Sequence, residues 1–203
     1  MPAALPCRKM PLLVLLAFIQ FAHAEQPVAH RIKATRMIAG ETYEAWGTCW
    51  AAKVKRKGKA KGSIVMTCAH TLKDRTRFEV EVGAGWVDAK LLAIDHEQDI
   101  AMLWVDADMK PLELRPSGEM TVHGAEFGDP VVKKTGAVKR IELSVPVYEG
   151  ASGGPVVDPE GKVRGMLAAR MVNAEGITVG CLLIAADRLL AFIEKHADTL
   201  KKF

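Results

Sequence analysis

What most constrains this chain is the way its apolar residues are parcelled into short runs with turn residues between them. Val-, Ile-, Leu- and Met-rich segments fall at Thr35–Ala39, Trp46–Val54, Ser63–Cys68, Arg77–Val82, Trp86–Ile94 and Asp99–Val105. They resume at Ala137–Leu143, Gly154–Val157, Lys162–Val172 and Ile177–Ile184. Gly83-Ala84-Gly85 separates two of them. Asp158-Pro159-Glu160-Gly161 separates two more, with Pro second and Gly fourth, an arrangement that suits a tight hairpin turn. Many short strands at this spacing predict an all-β barrel or sandwich. The exception comes last. From Ala185 to Lys195 the spacing of Leu189, Phe192 and Ile193, with Leu200 beyond, is helical, which predicts one C-terminal amphipathic α-helix packed on the strands.

The first residues follow a different logic. Arg8 and Lys9 precede the apolar run Met10–Phe21, and Ala22-His23-Ala24 supplies small residues where a signal peptidase inspects them. A run of about twelve residues falls short of the ~20 that span a bilayer. Residues 1–24 are therefore expected to be a signal peptide cleaved before Glu25, leaving 25–203 as one domain, periplasmic or secreted. The net charge of +4 is small, and smaller without Arg8 and Lys9, so nothing in it asks for a nucleic-acid partner.

Chemistry concentrates in three places. Gly150-Ala151-Ser152-Gly153-Gly154-Pro155 is the strongest. A serine hydroxyl is a poor nucleophile unless a base takes its proton and donors stabilise the oxyanion that forms. Gly150, two residues ahead, has the backbone freedom to aim its N–H beside that of Ser152 at the developing charge. Alone this is equally a Gly-rich turn. The second place is Thr67-Cys68-Ala69-His70, where a histidine ends an apolar strand. The third is Asp99-Ile100-Ala101-Met102-Leu103, where a carboxylate opens another. His70 as base, Asp99 as its orienting carboxylate and Ser152 as nucleophile form a coherent set, with Asp95 a nearby competitor for the carboxylate role.

TCAH around His70, DIAMLWVDADMKPLEL from Asp99 and GASGGPVVD around Ser152 resemble the trypsin-like serine peptidases, and the Deg/HtrA branch most of all. The tail VGCLLIAADRLLAFI is similar to the last strand and closing helix of that branch. The resemblance implies two antiparallel β-barrels of chymotrypsin type with a C-terminal helix, and a peptidase acting on protein or peptide substrates through an acyl-enzyme. It implies His70, Asp99 and Ser152 as the triad, and the N–H groups of Gly150 and Ser152 as the oxyanion hole. It also assigns substrate binding to Pro146, Val147 and Tyr148 on one wall and Ala168, Ala169 and Arg170 on the other. No acid stands at the pocket base, so cleavage after Lys or Arg is not expected. Three departures accompany the likeness: a short interval between Asp99 and Ser152, Ala151 in place of the aspartate that digestive members use for activation, and an end just past the helix, which predicts no PDZ module.

Past the leader there are three cysteines: Cys49, Cys68 and Cys181. Export would favour a pair. If the strands before and after Gly58 form a hairpin centred there, residues whose numbers sum to 117 face each other, and Cys49 with Cys68 does so. A Cys49–Cys68 disulfide is therefore expected, with two buried thiols as the alternative. A zinc site on Cys68 and His70 has no convincing fourth ligand, so neither metal nor cofactor is expected. Lys53–Lys61 carries six basic residues at the tip of that hairpin. Such runs are usually solvated tips that keep a sheet edge apart, and an anionic surface is the alternative partner. Two other functions compete with the peptidase. One is a catalytically silent binding module on the same fold; the other is an esterase, although His before Ser reverses the α/β-hydrolase order. The sequence carries no signal for oligomeric state.

Overall fold

The computed structural model describes residues 29–55, 61–116, 134–135, 138–141, 150–158, 160–176 and 178–203. The expected leader (residues 1–24), residues 56–60 of the basic run, and Pro146, Val147 and Tyr148 lie outside them. Six strands, β1 (His30–Ile38), β2 (Glu41–Ala51), β3 (Ser63–Thr67), β4 (Arg77–Val82), β5 (Gly85–Asp95) and β6 (Ile100–Val105), close into an antiparallel barrel in the order β1-β2-β3-β6-β5-β4. Five more, β7 (Lys134–Thr135), β8 (Val138–Ile141), β9 (Pro155–Val157), β10 (Val163–Val172) and β11 (Thr178–Ala185), form an antiparallel sheet ordered β7-β8-β11-β10-β9. Among the described residues this second sheet is not closed into a barrel. Among the described residues three helices accompany the strands: the single turn α1 (Ala69–Leu72), then α2 (Ala186–Lys195) and α3 (Ala197–Leu200).

The apolar interior of β3 and the apolar run of β6 have a simple cause: both strands are buried on both faces. Val65, Ala101, Leu103 and Val105 point into the barrel with Ile32, Ala34 and Val80. Their neighbours Ile64, Met66, Ile100 and Met102 point the other way, into a second core shared with Val163, Met166 and Ile184. Helix α2 caps that second core with Leu189 and Phe192, and Leu200 of α3 joins them. The segment between the halves is stitched to each in turn. Leu112 exchanges backbone bonds with Ala51 and Lys53, while Glu113 and Arg115 bond to Val163. Core burial and backbone zipping therefore fix how the two halves meet, which is where the candidate site lies.

The register corrects the expected disulfide. β2 pairs with β3 through Trp50↔Met66 and Ala51↔Val65, a sum of 116 rather than 117. Side chains alternate faces along a strand, so a one-residue slip moves a residue to the opposite side. Cys49 points into the barrel and Cys68 into the core outside it. Cys49, Cys68 and Cys181 are buried free thiols. Just past β2, Lys53 contacts Glu113 at 3.3 Å, and Lys162 shares the same carboxylate at 2.9 Å.

Candidate active site

Strand β3 ends at Thr67 and the chain turns at once into α1, so His70 stands on a one-turn helix rather than at the strand end itself. On the other side, β5 ends in a tight loop before β6. Asp95 closes that loop by accepting the N–H groups of Glu97 (3.1 Å) and Gln98 (2.9 Å) with one carboxylate oxygen. It is thereby committed to its own turn. Asp99 follows with φ +57°, a left-handed conformation that a non-glycine residue adopts only when its surroundings hold it there. The surroundings are plain: its carbonyl accepts Ala69 N–H (3.2 Å), Oδ1 accepts His70 N–H (2.8 Å), and Oδ2 meets His70 Nδ1 at 2.8 Å.

This double hold decides the imidazole's chemistry. An ionised carboxylate only accepts, so the shared proton belongs on Nδ1 and Nε2 keeps its lone pair. The hydrogen bond His70 donates to Asp99 raises the His70 pKa above its ordinary value, partial burial opposes it, and the carboxylate's charge adds to the rise. His70 remains about half exposed, facing a cleft of about 390 Å³ that Lys73, Asp74, His96 and Asp99 also line.

The Gly150–Pro155 segment docks against the same end of the barrel. Thr48 in β2 is the anchor: its N–H donates to the Ser152 carbonyl (2.8 Å), and its Oγ1 donates to the Gly150 carbonyl (2.7 Å). Thr67 Oγ1 donates to the Thr48 carbonyl (2.7 Å), tying the anchor to the strand that leads to His70. From the other half, the Leu167 carbonyl accepts Gly153 N–H at 2.7 Å. Gly153, at φ +91°, is where the approach is closest: a Cβ there would stand 2.1 Å from the Thr48 carbonyl oxygen and 3.2 Å from Cys68 N. Gly150 is also left-handed, at φ +85°. Ser152 Oγ donates to the Ala168 carbonyl at 3.1 Å. Among the described residues, then, the His70–Asp99 contact is made, and the serine hydroxyl is turned to β10.

A family model described as a trypsin-like peptidase domain matches residues 47–166, a span that contains His70, Asp99 and Ser152. The chain belongs to the trypsin-like peptidase family. It is similar to the serine protease HTRA1B of Danio rerio, 26% identical over 166 residues, which is 68% of this chain and 34% of that protein. It is likewise similar to the serine protease HTRA4 of Mus musculus, 24% identical over 162 residues, 66% of this chain and 32% of that protein. The chain thus spans about a third of the length of the curated relatives it matches.

Within this trypsin-like domain, Ala168, Ala169 and Arg170 lie on β10, and Ala168 meets the serine. Ala168 is the extra residue where the β10–β11 register shifts between Leu167 and Ala169, which frees its carbonyl to meet Ser152. Arg170 is exposed. The sequence reading missed Thr48 and Thr67, the two hydroxyls that fasten the serine loop. It also missed Lys73 and His96 beside the general-base candidate. Only the GTCW stretch just before a strand core could have signalled Thr48, and its partner lies a hundred residues away.

Proposed function

We propose that this protein is a serine endopeptidase in which His70 is the general base, Asp99 its orienting carboxylate and Ser152 the nucleophile. The observation that carries the proposal is the two-point contact of the Asp99 carboxylate with both the backbone N–H and the Nδ1 of His70. A carboxylate serving only as an ion pair has no need of the backbone bond. Here that bond fixes the ring's position, and the second oxygen fixes its tautomer. With Nε2 free, the imidazole takes the Ser152 proton as Oγ attacks the scissile carbonyl, and Asp99 stabilises the imidazolium that results. The N–H groups of Gly150 and Ser152 then hold the oxyanion; among the described residues neither donates to another backbone carbonyl. Imidazolium next protonates the leaving amine, and water resolves the acyl-enzyme by the same route. Two barrels of chymotrypsin type, the second built on the β7–β11 sheet, provide the cleft. Substrate binding falls to Pro146, Val147 and Tyr148 opposite Ala168, Ala169 and Arg170.

One observation favours a second reading. The Ser152 hydroxyl bonds to Ala168, not to His70, which fits a silent binding module that keeps the fold. In the peptidase reading that bond is the resting state, exchanged for His70 Nε2 when substrate pairs with β10. Digestion of a peptide library separates the two. Cleavage by the wild type, lost in Ser152→Ala and in His70→Ala, with little of it after Lys or Arg, supports the peptidase. A folded wild type that cleaves nothing supports the module. We also propose export with removal of residues 1–24, carried by Arg8, Lys9 and the apolar run after them.

A further inference from the structure

Cys68 is a buried thiol that the peptide-cleavage chemistry does not use. It sits directly behind the His70–Asp99 pair, with Sγ 3.2 Å from the Leu167 carbonyl oxygen. The sequence offers Cys68 and His70 to a metal without further ligands, and the fold supplies the third. Cys68 Sγ, a His70 ring nitrogen and an Asp99 carboxylate oxygen all lie within 4.8 Å of one another. A tetrahedral zinc ion bonds sulfur at ~2.3 Å and nitrogen or oxygen at ~2.0–2.2 Å, so its ligand atoms stand roughly 3.3–3.8 Å apart. Reaching that spacing takes side-chain shifts of about 1 Å, with Nδ1 and Oδ2 parting slightly and Sγ closing in. His70 and Asp99 are partly exposed, at 48% and 29% of their side chains, so an ion meets them from the cleft, and the buried Cys68 behind them is the ligand that must turn toward it.

We infer that Cys68, His70 and Asp99 form a binding site for a zinc-class divalent cation that holds the peptidase off. Thiolate, imidazole and carboxylate together are the donor set of a borderline-soft metal, and would not select calcium or magnesium. Three protein ligands leave a fourth position for water. The proton balance sets the consequence. Cys68 gives up its thiol proton to solvent, and its S–H bond to Leu167 is lost. The ion takes the Nδ1 lone pair, the Nδ1 proton is carried on Nε2 instead, and Asp99 remains anionic. His70 then has no lone pair facing Ser152 and cannot act as base. Binding and catalysis therefore exclude each other through the same imidazole.

The test uses the full, untagged chain carrying Ser152→Ala, so that binding is read without reference to activity. Cadmium should produce a thiolate-to-metal charge-transfer band in the ultraviolet that saturates at one equivalent and is competed away by zinc. In the same background, Cys68→Ser should abolish the band, whereas Cys49→Ser and Cys181→Ser should keep it. Zinc affinity by calorimetry should fall by at least the ~10–100-fold that loss of a supporting partner costs a metal site. Asp99→Asn, which does not alter the buried core, should weaken it comparably. No band in the parent, or a band that survives Cys68→Ser, overturns the site. With active enzyme, an arm that rests on the peptidase reading, zinc should inhibit and chelator restore activity. Full activity at an occupied site overturns the switch while leaving the site itself, and failure of the peptidase reading leaves the cadmium result standing.

Discussion

Gly153→Ala is the substitution for which the structure gives the sharpest expectation. The residue sits at φ +91°, where an L side chain is strained, and its new methyl would lie 2.1 Å from the Thr48 carbonyl oxygen and 2.5 Å from Thr67 Oγ1. That is about 1.4 Å short of the ~3.5 Å lower edge of ordinary carbon contacts. Neither neighbour can yield, since the carbonyl belongs to β2 and the hydroxyl is bonded to it. The loop must move instead, giving up the bonds Thr48 N–H to Ser152 and Gly153 N–H to Leu167. Conformational strain costs about 1–2 kcal/mol, and two hydrogen bonds about 1 kcal/mol each. The expected loss is therefore about 3–4 kcal/mol. Gly161→Ala isolates the first part: Gly161 has φ +75° with nothing within 4 Å, so only strain, about 1–2 kcal/mol, applies. Urea unfolding of both variants measures the difference. Equal destabilisation would refute the packing of the serine loop on the barrel. So would a Gly153→Ala protein as stable as wild type.

Four further outcomes follow from the same geometry. Thr48→Val keeps the backbone bond to Ser152 but loses the hydroxyl on Gly150; about 1 kcal/mol of positioning energy should appear as a roughly five- to tenfold fall in kcat with KM little changed. Because the Asp99 contact raises the His70 pKa and the base must be neutral, kcat/KM should fall as pH drops through a value above that of an ordinary histidine. Asp99→Asn should move that limb to lower pH and cut kcat by about 10⁴-fold; an unmoved limb would contradict the assignment. The same raised pKa means that His70 adds stability that is complete below the unfolded histidine value and disappears as pH rises through the folded one, so Asp99→Asn should cost more stability at pH 5 than at pH 9. Phe192→Ala, at a position 2% exposed on the buried face of α2, should cost about 3–5 kcal/mol in calorimetry, and a cost near zero would mean that the helix is not docked on the core.

How far the sequence reached is clear strand by strand. β4 runs over Arg77–Val82 as its apolar pattern indicates, and β6, β9, β10, β11 and α2 fall within a residue of their expected ends where they touch the core. β1 and β2 begin earlier than expected, at His30 and Glu41, and β2 ends at Ala51 rather than Val54. The exposed start of β2 is held by pairing with β1, as in Ile38↔Glu41 and Arg36↔Tyr43, which leaves no hydrophobic trace. The early part of β1 instead carries core residues, Ile32 and Ala34, set among the polar His30, Arg31 and Lys33. The hairpin register was not legible because the pairs Trp50↔Met66 and Ala51↔Val65, with Ala52 N–H on Ile64, centre the β2–β3 pairing half a residue earlier than a sum of 117 requires, and no turn residue in the sequence marks that offset. That offset decided the cysteines. At the site, residue types and chain order pointed to His70, Asp99 and Ser152, and no local pattern could separate Asp95 from Asp99. Tertiary structure did so, by committing Asp95 to its turn and holding Asp99 in a left-handed conformation.

The central claim is that His70 activates Ser152, and covalent labelling tests it most directly. The folded protein is incubated with a fluorophosphonate at neutral pH, digested and analysed by mass spectrometry. The expected result is one adduct per chain on the peptide containing Ser152, strongly reduced in His70→Ala and in Asp99→Asn. A folded wild type that takes up no phosphonate would contradict it, as would labelling undiminished by His70→Ala; either outcome would leave Ser152 as the Ala168-bonded hydroxyl of a binding module.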